Sequence, residues 1–303
     1  ELDDSLGVLN EILEKLCLGK DIRTFRNIIR QATIPLCFHP AALAAVDIAL
    51  YDGFTKYLQL PLVEYLGMMH ITQSTSVTIG IKSTRDVLLE ALEYLDAGFN
   101  ILKLKVGIAV DQDIETVAML RKKIGHDIRI RVDANQGYNT QELQMFLDAT
   151  SCFNIEFVEQ PFPTGKKDML FNFDENLREK IAADEDLITV NDALILSQTP
   201  CPYGIFNIKL MKCGGITAGM QIADIAWQKG IDVMWGCMDE SVISISAALH
   251  AALASPSTKY LDLDGSLDLA KDIAKGGFHL DNGKMQSLHK PGLGVDLFEI
   301  PGQ

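Results

Sequence analysis

From Ser74 onward the chain alternates between short apolar runs and longer stretches with helical spacing. The runs at 76–81, 101–106, 128–133, 155–159, 180–184, 204–209, 232–236 and 259–263 have the length and composition of buried strands. Between them, 84–97, 111–124, 140–150, 167–179, 189–198, 216–229 and 242–254 carry the 3.6-residue period of helices. Eight strands alternating with seven helices predict an α/β fold, a parallel (β/α)7β TIM-like barrel over 74–265. A doubly wound open sheet is the alternative, but no glycine-rich phosphate turn follows the first strand. Residues 1–73 read as helical, with a strong pattern in Ala41–Leu50 closing near Gly53 and a further turn or two in Leu60–Gly67. Beyond Gly265 the pattern breaks into glycine- and aspartate-rich pieces, through Gly276-Gly-Phe-His-Leu-Asp-Asn-Gly-Lys284, that read as hairpins outside the barrel.

Four polar residues punctuate the barrel pattern. Asp133, Glu159, Asp184 and Lys209 each end an apolar run, 26, 25 and 25 residues apart. On parallel strands of one barrel they emerge together at the C-terminal rim, where barrel enzymes build their sites. Three converging carboxylates repel one another unless a hard divalent cation neutralises them, and an all-oxygen donor set points to Mg²⁺. Each acid alone could equally be a helix N-cap. Asn135 and Glu185 are candidate partners that orient the ligands.

Lys103 and Lys105, two apart in Ile101-Leu-Lys-Leu-Lys-Val106, share one face of a strand. Paired ammoniums in an apolar barrel are expected to lower each other's proton affinity, which makes a lysine a usable base. The alternative is a surface pair on an edge strand. Lys209 falls four strands later, across the barrel, so two bases could face one bound carbon from opposite sides. That arrangement suits a racemase, an epimerase, or a one-sided cycloisomerase or dehydratase. Lys212 is expected past the strand end, in solvent. Asp262 and Asp264 repeat the two-apart spacing at the eighth strand; out of phase with the acidic trio, they suit a substrate cation, or else Asp264-Gly265 is a turn. None of the six histidines falls at a strand end, which argues against a histidine base or a zinc site.

Composition narrows the picture further. Lys and Arg number 27 against 41 Asp and Glu, a net charge of −14, so no basic field for nucleic acid or anionic lipid exists. Six cysteines without a CxxC pair resemble reduced, cytoplasmic proteins. No apolar stretch reaches the ~18 residues of a membrane span. The start at Glu1, without methionine, leads to the expectation that a natural N-terminal segment is missing.

Taken in order, Leu102-Lys-Leu-Lys-Val-Gly107, Arg131-Val-Asp-Ala-Asn-Gln-Gly137, Val158-Glu-Gln-Pro161, Ala183-Asp-Glu185, Asn207-Ile-Lys209 and Gly214-Gly-Ile216 resemble the enolase superfamily, in its muconate-lactonizing subgroup. The helix ending Ala49-Leu-Tyr-Asp52 and the tail Pro291-Gly-Leu-Gly-Val295 fit the same family. The resemblance implies a barrel with an α+β capping domain: residues 1–73 as its helical part, 266–303 returning to it, and its N-terminal portion incomplete. It further implies that Asp133, Glu159 and Asp184 hold Mg²⁺, that Lys105 and Lys209 are the acid/base pair, and that Lys103 tunes Lys105. The Asp-x-Asp of Asp262 and Asp264 looks like the dipeptide epimerases, in which that pair binds the substrate's α-ammonium. A small-molecule dipeptide substrate follows, with a homo-oligomer left open. Alternatives are an o-succinylbenzoate synthase or N-acylamino-acid racemase of the same subgroup, or an inactive ligand-binding remnant. The loop Gly236-Cys-Met-Asp-Glu-Ser241 departs from the family pattern: Asp239 either faces the pocket, disfavouring acidic substrates, or faces solvent.

Overall fold

The computed structural model describes residues 2–298; Glu1 and residues 299–303, the end of the C-terminal segment, lie outside the described residues. Four helices come first: α1 (Leu2–Ile12), α2 (Phe25–Thr33), α3 (Pro40–Tyr57) and α4 (Leu62–Leu66). After the two-residue strand β1 (Gln73–Ser74), eight strands form one parallel sheet in chain order. These are β2 (Val77–Ile79), β3 (Ile101–Lys105), β4 (Arg129–Asp133), β5 (Ile155–Glu159), β6 (Ile181–Ala183), β7 (Ile205–Lys209), β8 (Asp232–Gly236) and β9 (Thr258–Asp262). The sheet curls until its first and last strands meet. Thr75 bridges Leu261, Ser76 N donates to Leu261 O (3.1 Å), and Leu263 N donates to Thr75 Oγ1 (2.9 Å). Closure therefore rests on one bridge and its flanking bonds, and the barrel has the expected α/β architecture.

The crossover helices are α5 (Thr84–Asp96), α6 (Val110–Ile124), α7 (Thr140–Thr150), α8 (Glu175–Arg178), α9 (Val190–Leu196), α10 (Leu210–Cys213), α11 (Ile216–Lys229) and α12 (Val242–Ala254). Local chemistry starts them. Asn139 with Glu142 and Thr189 with Asp192 form reciprocal capping boxes, satisfying N–H groups that have no partner in the first turn. Two expectations need correction. The helix expected over 167–179 is a 3₁₀ run, Lys167–Asn172, followed by the four-residue α8. Asp174 caps α8 by accepting from Leu177 N (2.8 Å), and the extended backbone this requires at Phe173 and Asp174 ends any earlier helix. Helix α3 also runs through Gly53 to Tyr57. Gly53 is no stop there, since it does not take the left-handed conformation that ends helices.

Outside the barrel, β10 (Ala274–Gly276) pairs with β13 (Val295–Leu297), and β11 (Phe278–Asp281) forms a hairpin with β12 (Lys284–Ser287). Asn282 and Gly283 turn that hairpin with φ of 49° and 70°, the left-handed pair such a two-residue loop demands. β12 also pairs with β1. Among the described residues no helix is long and apolar enough to cross a membrane.

Inside the barrel, Phe157, Ala182, Ile205, Met234 and Tyr260 form a compact apolar layer, one from each of β5 to β9. Arg131 of β4 completes it. Its guanidinium lies over the rings of Phe157 (5.4 Å) and Tyr260 (5.0 Å) and donates to Leu261 O (2.7 Å), Ser76 Oγ and Glu156 Oε2. Because strand side chains alternate, the residues two positions further along each strand also point inward, one layer nearer the C-terminal rim.

Candidate active site

That next layer contains Asp133, Glu159, Asp184, Asn207, Gly236 and Asp262, with Lys209 a further two residues along β7 toward the rim; the register sets Lys105 opposite Asp133, Asp133 opposite Glu159, Lys209 opposite Gly236, and Gly236 opposite Asp262. Lys103 stands at its centre with a side chain only 3% exposed. Its Nζ lies 2.6 Å from Asp262 Oδ2, 2.9 Å from Glu159 Oε2 and 3.3 Å from Asp133 Oδ2. Lys105, partly exposed, donates to Asp133 Oδ2 and Asn135 Oδ1, both at 2.8 Å. Lys209 donates to Asp184 Oδ2 (2.7 Å). Asn135 in turn reaches Glu185 Oε1 (3.3 Å), so both expected orienting residues touch the network.

Burial alone would lower the proton affinity of Lys103, but Asp262, Glu159 and Asp133 outweigh it and hold the ammonium well above its ordinary range. The expected lowering is thus corrected for Lys103: in a cluster this acidic, its carboxylates dominate. Lys209 is likewise raised, against burial, by Asp184 and Glu159. Glu159 is pushed up to about 7 by burial and by Asp133, with Lys103 pulling the other way. Burial also acts on Asp184, but Lys212 and Lys209 keep its carboxyl well below the usual range.

Lys212 is the second correction. It is not in solvent: its side chain is 11% exposed, and Nζ donates to Asp184 O (2.6 Å) and forms an ion pair with Asp184 Oδ1. The one-turn helix α10 starts directly after Lys209 and swings Lys212 back over the rim, a turn that the strand pattern did not reveal. Asn207, two before Lys209 and so on the same face, donates to Glu159 Oε1 (2.5 Å). Gln160, fully buried, accepts from Asp184 N (3.0 Å) and Asp186 N (3.2 Å), fixing the backbone that carries Asp184. The Asn207 role was readable from strand alternation; the Gln160 role depends on its left-handed backbone (φ 35°), which strand spacing does not foretell.

Asp262 and Asp264 differ in their engagement. Asp262 accepts from Lys103 and from Ser76 Oγ (2.6 Å), so it belongs to the same network as the trio rather than standing apart from it. Asp264 accepts from Thr78 N (2.6 Å), and burial with the nearby Asp262 charge raises it to about 6. Both line a cavity of about 470 Å³ together with Lys103, Lys105, Lys209 and the exposed Asp239.

The donor set fits a hard divalent cation. Asp133, Glu159 and Asp184 are buried on successive strand ends, and Glu159 Oε2, though near Lys103, makes no hydrogen bond. Among the described residues no three acids are gathered around one point as they stand, and the ammoniums of Lys103, Lys209 and Lys212 lie against them. Those ammoniums supply the positive charge that such a cluster demands.

The Enolase C-terminal domain-like family model matches residues 86–300. The L-Lys-D/L-Arg epimerase of Desulforapulum autotrophicum is 49% identical over 283 residues, 93% of this chain and 80% of that protein. The L-Ala-D/L-Glu epimerase of Clostridium acetobutylicum is 32% identical over 96% of this chain and 81% of that protein. Among solved structures, the dipeptide epimerase from Methylococcus capsulatus complexed with Mg and the dipeptide L-Arg-D-Lys superposes with a TM-score of 0.95 at 47% identity, covering 98% of this chain and 84% of that one.

Proposed function

The chain belongs to the enolase superfamily, and from that premise we propose that it is a Mg²⁺-dependent dipeptide epimerase that inverts the α-carbon of the C-terminal residue, acting on cationic dipeptides. The observation that carries this reading is the placement of Lys105 and Lys209 on one cavity. Their strands β3 and β7 lie four apart in a sheet of eight, so the two ammoniums approach the cavity from opposite sides. A carbon bound between them can lose a proton to one and regain it from the other with inversion.

Asp133, Glu159 and Asp184 would hold the metal ion. When bound, Mg²⁺ supplies an electrophile for the substrate carboxylate, making the adjacent α-proton more acidic and taking up the charge that develops as it leaves. Lys209, charged beside Asp184, is poised as the acid in one direction; Lys105, linked to Asp133 and Asn135, serves the opposite face. Asp262 and Asp264 receive the α-ammonium of the N-terminal residue, with Asp262 held in place by Lys103 and Ser76. The acidic lining of the cavity, with Asp239 among it, favours cationic side chains.

Incubation with L-Lys-L-Arg in deuterated water with Mg²⁺ tests the proposal. It should incorporate deuterium at the C-terminal α-carbon and give the L,D product. No exchange with this or any other dipeptide of a broad library would rule the reading out.

A further inference from the structure

The cavity is also lined by residues with no part in the proton transfer. Glu90 and Tyr94, one turn apart on α5, line it with the exposed Asp268. Tyr94 Oη donates to Glu90 Oε1 (3.2 Å), and Lys82, from the loop between β2 and α5, forms an ion pair with Glu90 Oε2. Glu90, Asp264 and Asp268 line the same cavity as Tyr94, and burial with their charges raises the Tyr94 phenol. The chain's own cation thus already sits on Glu90.

We propose that Glu90, with Tyr94 and Asp268, reads the side chain of the substrate's N-terminal residue and selects a guanidinium or ammonium there, in competition with Lys82. The assignment rests on the reading of this cavity as a dipeptide site. If Asp264 takes the α-ammonium, the side chain leaving the same carbon starts beside Asp264, in the cavity that Tyr94 and Glu90 also line. It then runs along the phenol toward Glu90. The ring offers a face for a cation, and the carboxylate offers two oxygens to a planar guanidinium fork. Lys82 is a weak competitor, because it is a flexible ammonium with about a third of its side chain exposed and its pair with Glu90 is screened by water.

The test compares kcat/KM for L-Arg-L-Ala and L-Ala-L-Ala in the full protein, Glu90→Gln and Lys82→Met, with Mg²⁺ present. The Arg-to-Ala preference should fall by at least about tenfold in Glu90→Gln, mainly through KM, as expected for the loss of a charge-assisted contact. It should rise in Lys82→Met, where the competing ammonium is gone. A change that lowers the preference in both variants, or in neither, overturns the proposal, since damage to α5 would not sharpen selectivity. If the protein turns over no dipeptide, the epimerase reading fails separately, and calorimetric binding of L-Arg-L-Ala decides this one. Weaker binding to Glu90→Gln than to the parent protein supports it, and equal or absent binding to both overturns it.

Discussion

Glu159 is the residue whose replacement speaks most directly to the metal. It is buried, raised to about 7 by its surroundings, and bonded through only one oxygen to Asn207. Glu159→Gln removes the charge at nearly constant shape. Mg²⁺ binding measured by calorimetry should weaken at least about tenfold and turnover should be lost. A variant that binds the ion and turns over normally would show that the carboxylate does not ligate. Asp264→Asn should collapse dipeptide turnover while sparing an N-acyl substrate that carries no free ammonium; equal losses on both would favour a structural role through Thr78. Asp239 lies exposed at the same cavity, so its influence is screened. L-Ala-L-Lys should be preferred over L-Ala-L-Glu, with the preference reduced about two- to fivefold in Asp239→Ala. A glutamate preference untouched by the substitution would make Asp239 a bystander.

At the scale of elements, the barrel strands carry the site through alternation and register. β7 presents Ile205, Asn207 and Lys209 on one face: floor, support for Glu159, and proposed base. β8 contributes emptiness at the same level. A Cβ on Gly236 would lie 2.4 Å from Asn207 Oδ1, so glycine alone leaves Asn207 its place against Glu159. Gly236→Ala should therefore fold yet lose about ten- to a hundredfold in activity and in Mg²⁺ affinity, an effect passed through Asn207 to Glu159. Unaltered Mg²⁺ affinity would show that Asn207 does not hold Glu159 in place. Strands and their inward residues were legible along the chain because a period of two and a repeat near 25 residues survive in one dimension. The reach of Lys212 was not, because it depends on where a single helical turn sends a long side chain.

On the scale of the whole molecule, the leading helices are fastened to the barrel by buried polar side chains. Asp47 of α3 accepts from Ile216 N (2.6 Å) and Thr217 Oγ1 (2.6 Å) at the start of α11. His250 of α12 accepts from Val63 N of α4 (2.9 Å) through Nδ1. Asp52 accepts from Leu293 N (2.9 Å), tying α3 to the C-terminal segment. Burial lowers His250 to about 4, so the folded protein holds it neutral while the unfolded chain protonates it near 6.5. The folded state binds fewer protons there, and stability is lost as pH falls from 6.5 toward 4. Asp47, raised to about 7 by burial, works oppositely: its folded state binds more protons, and stability is lost as pH rises from about 4 to 7. The two slopes offset each other in the native protein. Replacing His250 by Gln should therefore expose the opposing trend, with parent and variant diverging by roughly 3 kcal/mol between pH 6.5 and 4 in denaturant unfolding. Parallel pH profiles would mean that His250 titrates alike in both states.

Hydrophobic spacing by itself determined the parallel barrel, its eight strands and the strand ends at which Asp133, Glu159, Asp184 and Lys209 stand, because strand alternation and chain length are properties of a line. Side-chain type and spacing likewise marked Lys103, Lys105, Asp262 and Asp264 before any fold was built. Tertiary structure decided what those groups do to one another. It turned Lys103 from a lysine expected to have a lowered proton affinity into one held charged by Asp262, Glu159 and Asp133, since the sign of a pKa shift depends on which charges lie within a few ångströms. It likewise brought Lys212 onto Asp184, and drew Glu90 and Tyr94 from a surface helix into the same cavity as Asp264. Distances between residues far apart in the chain exist only once the barrel has closed, and electrostatics is settled by those distances.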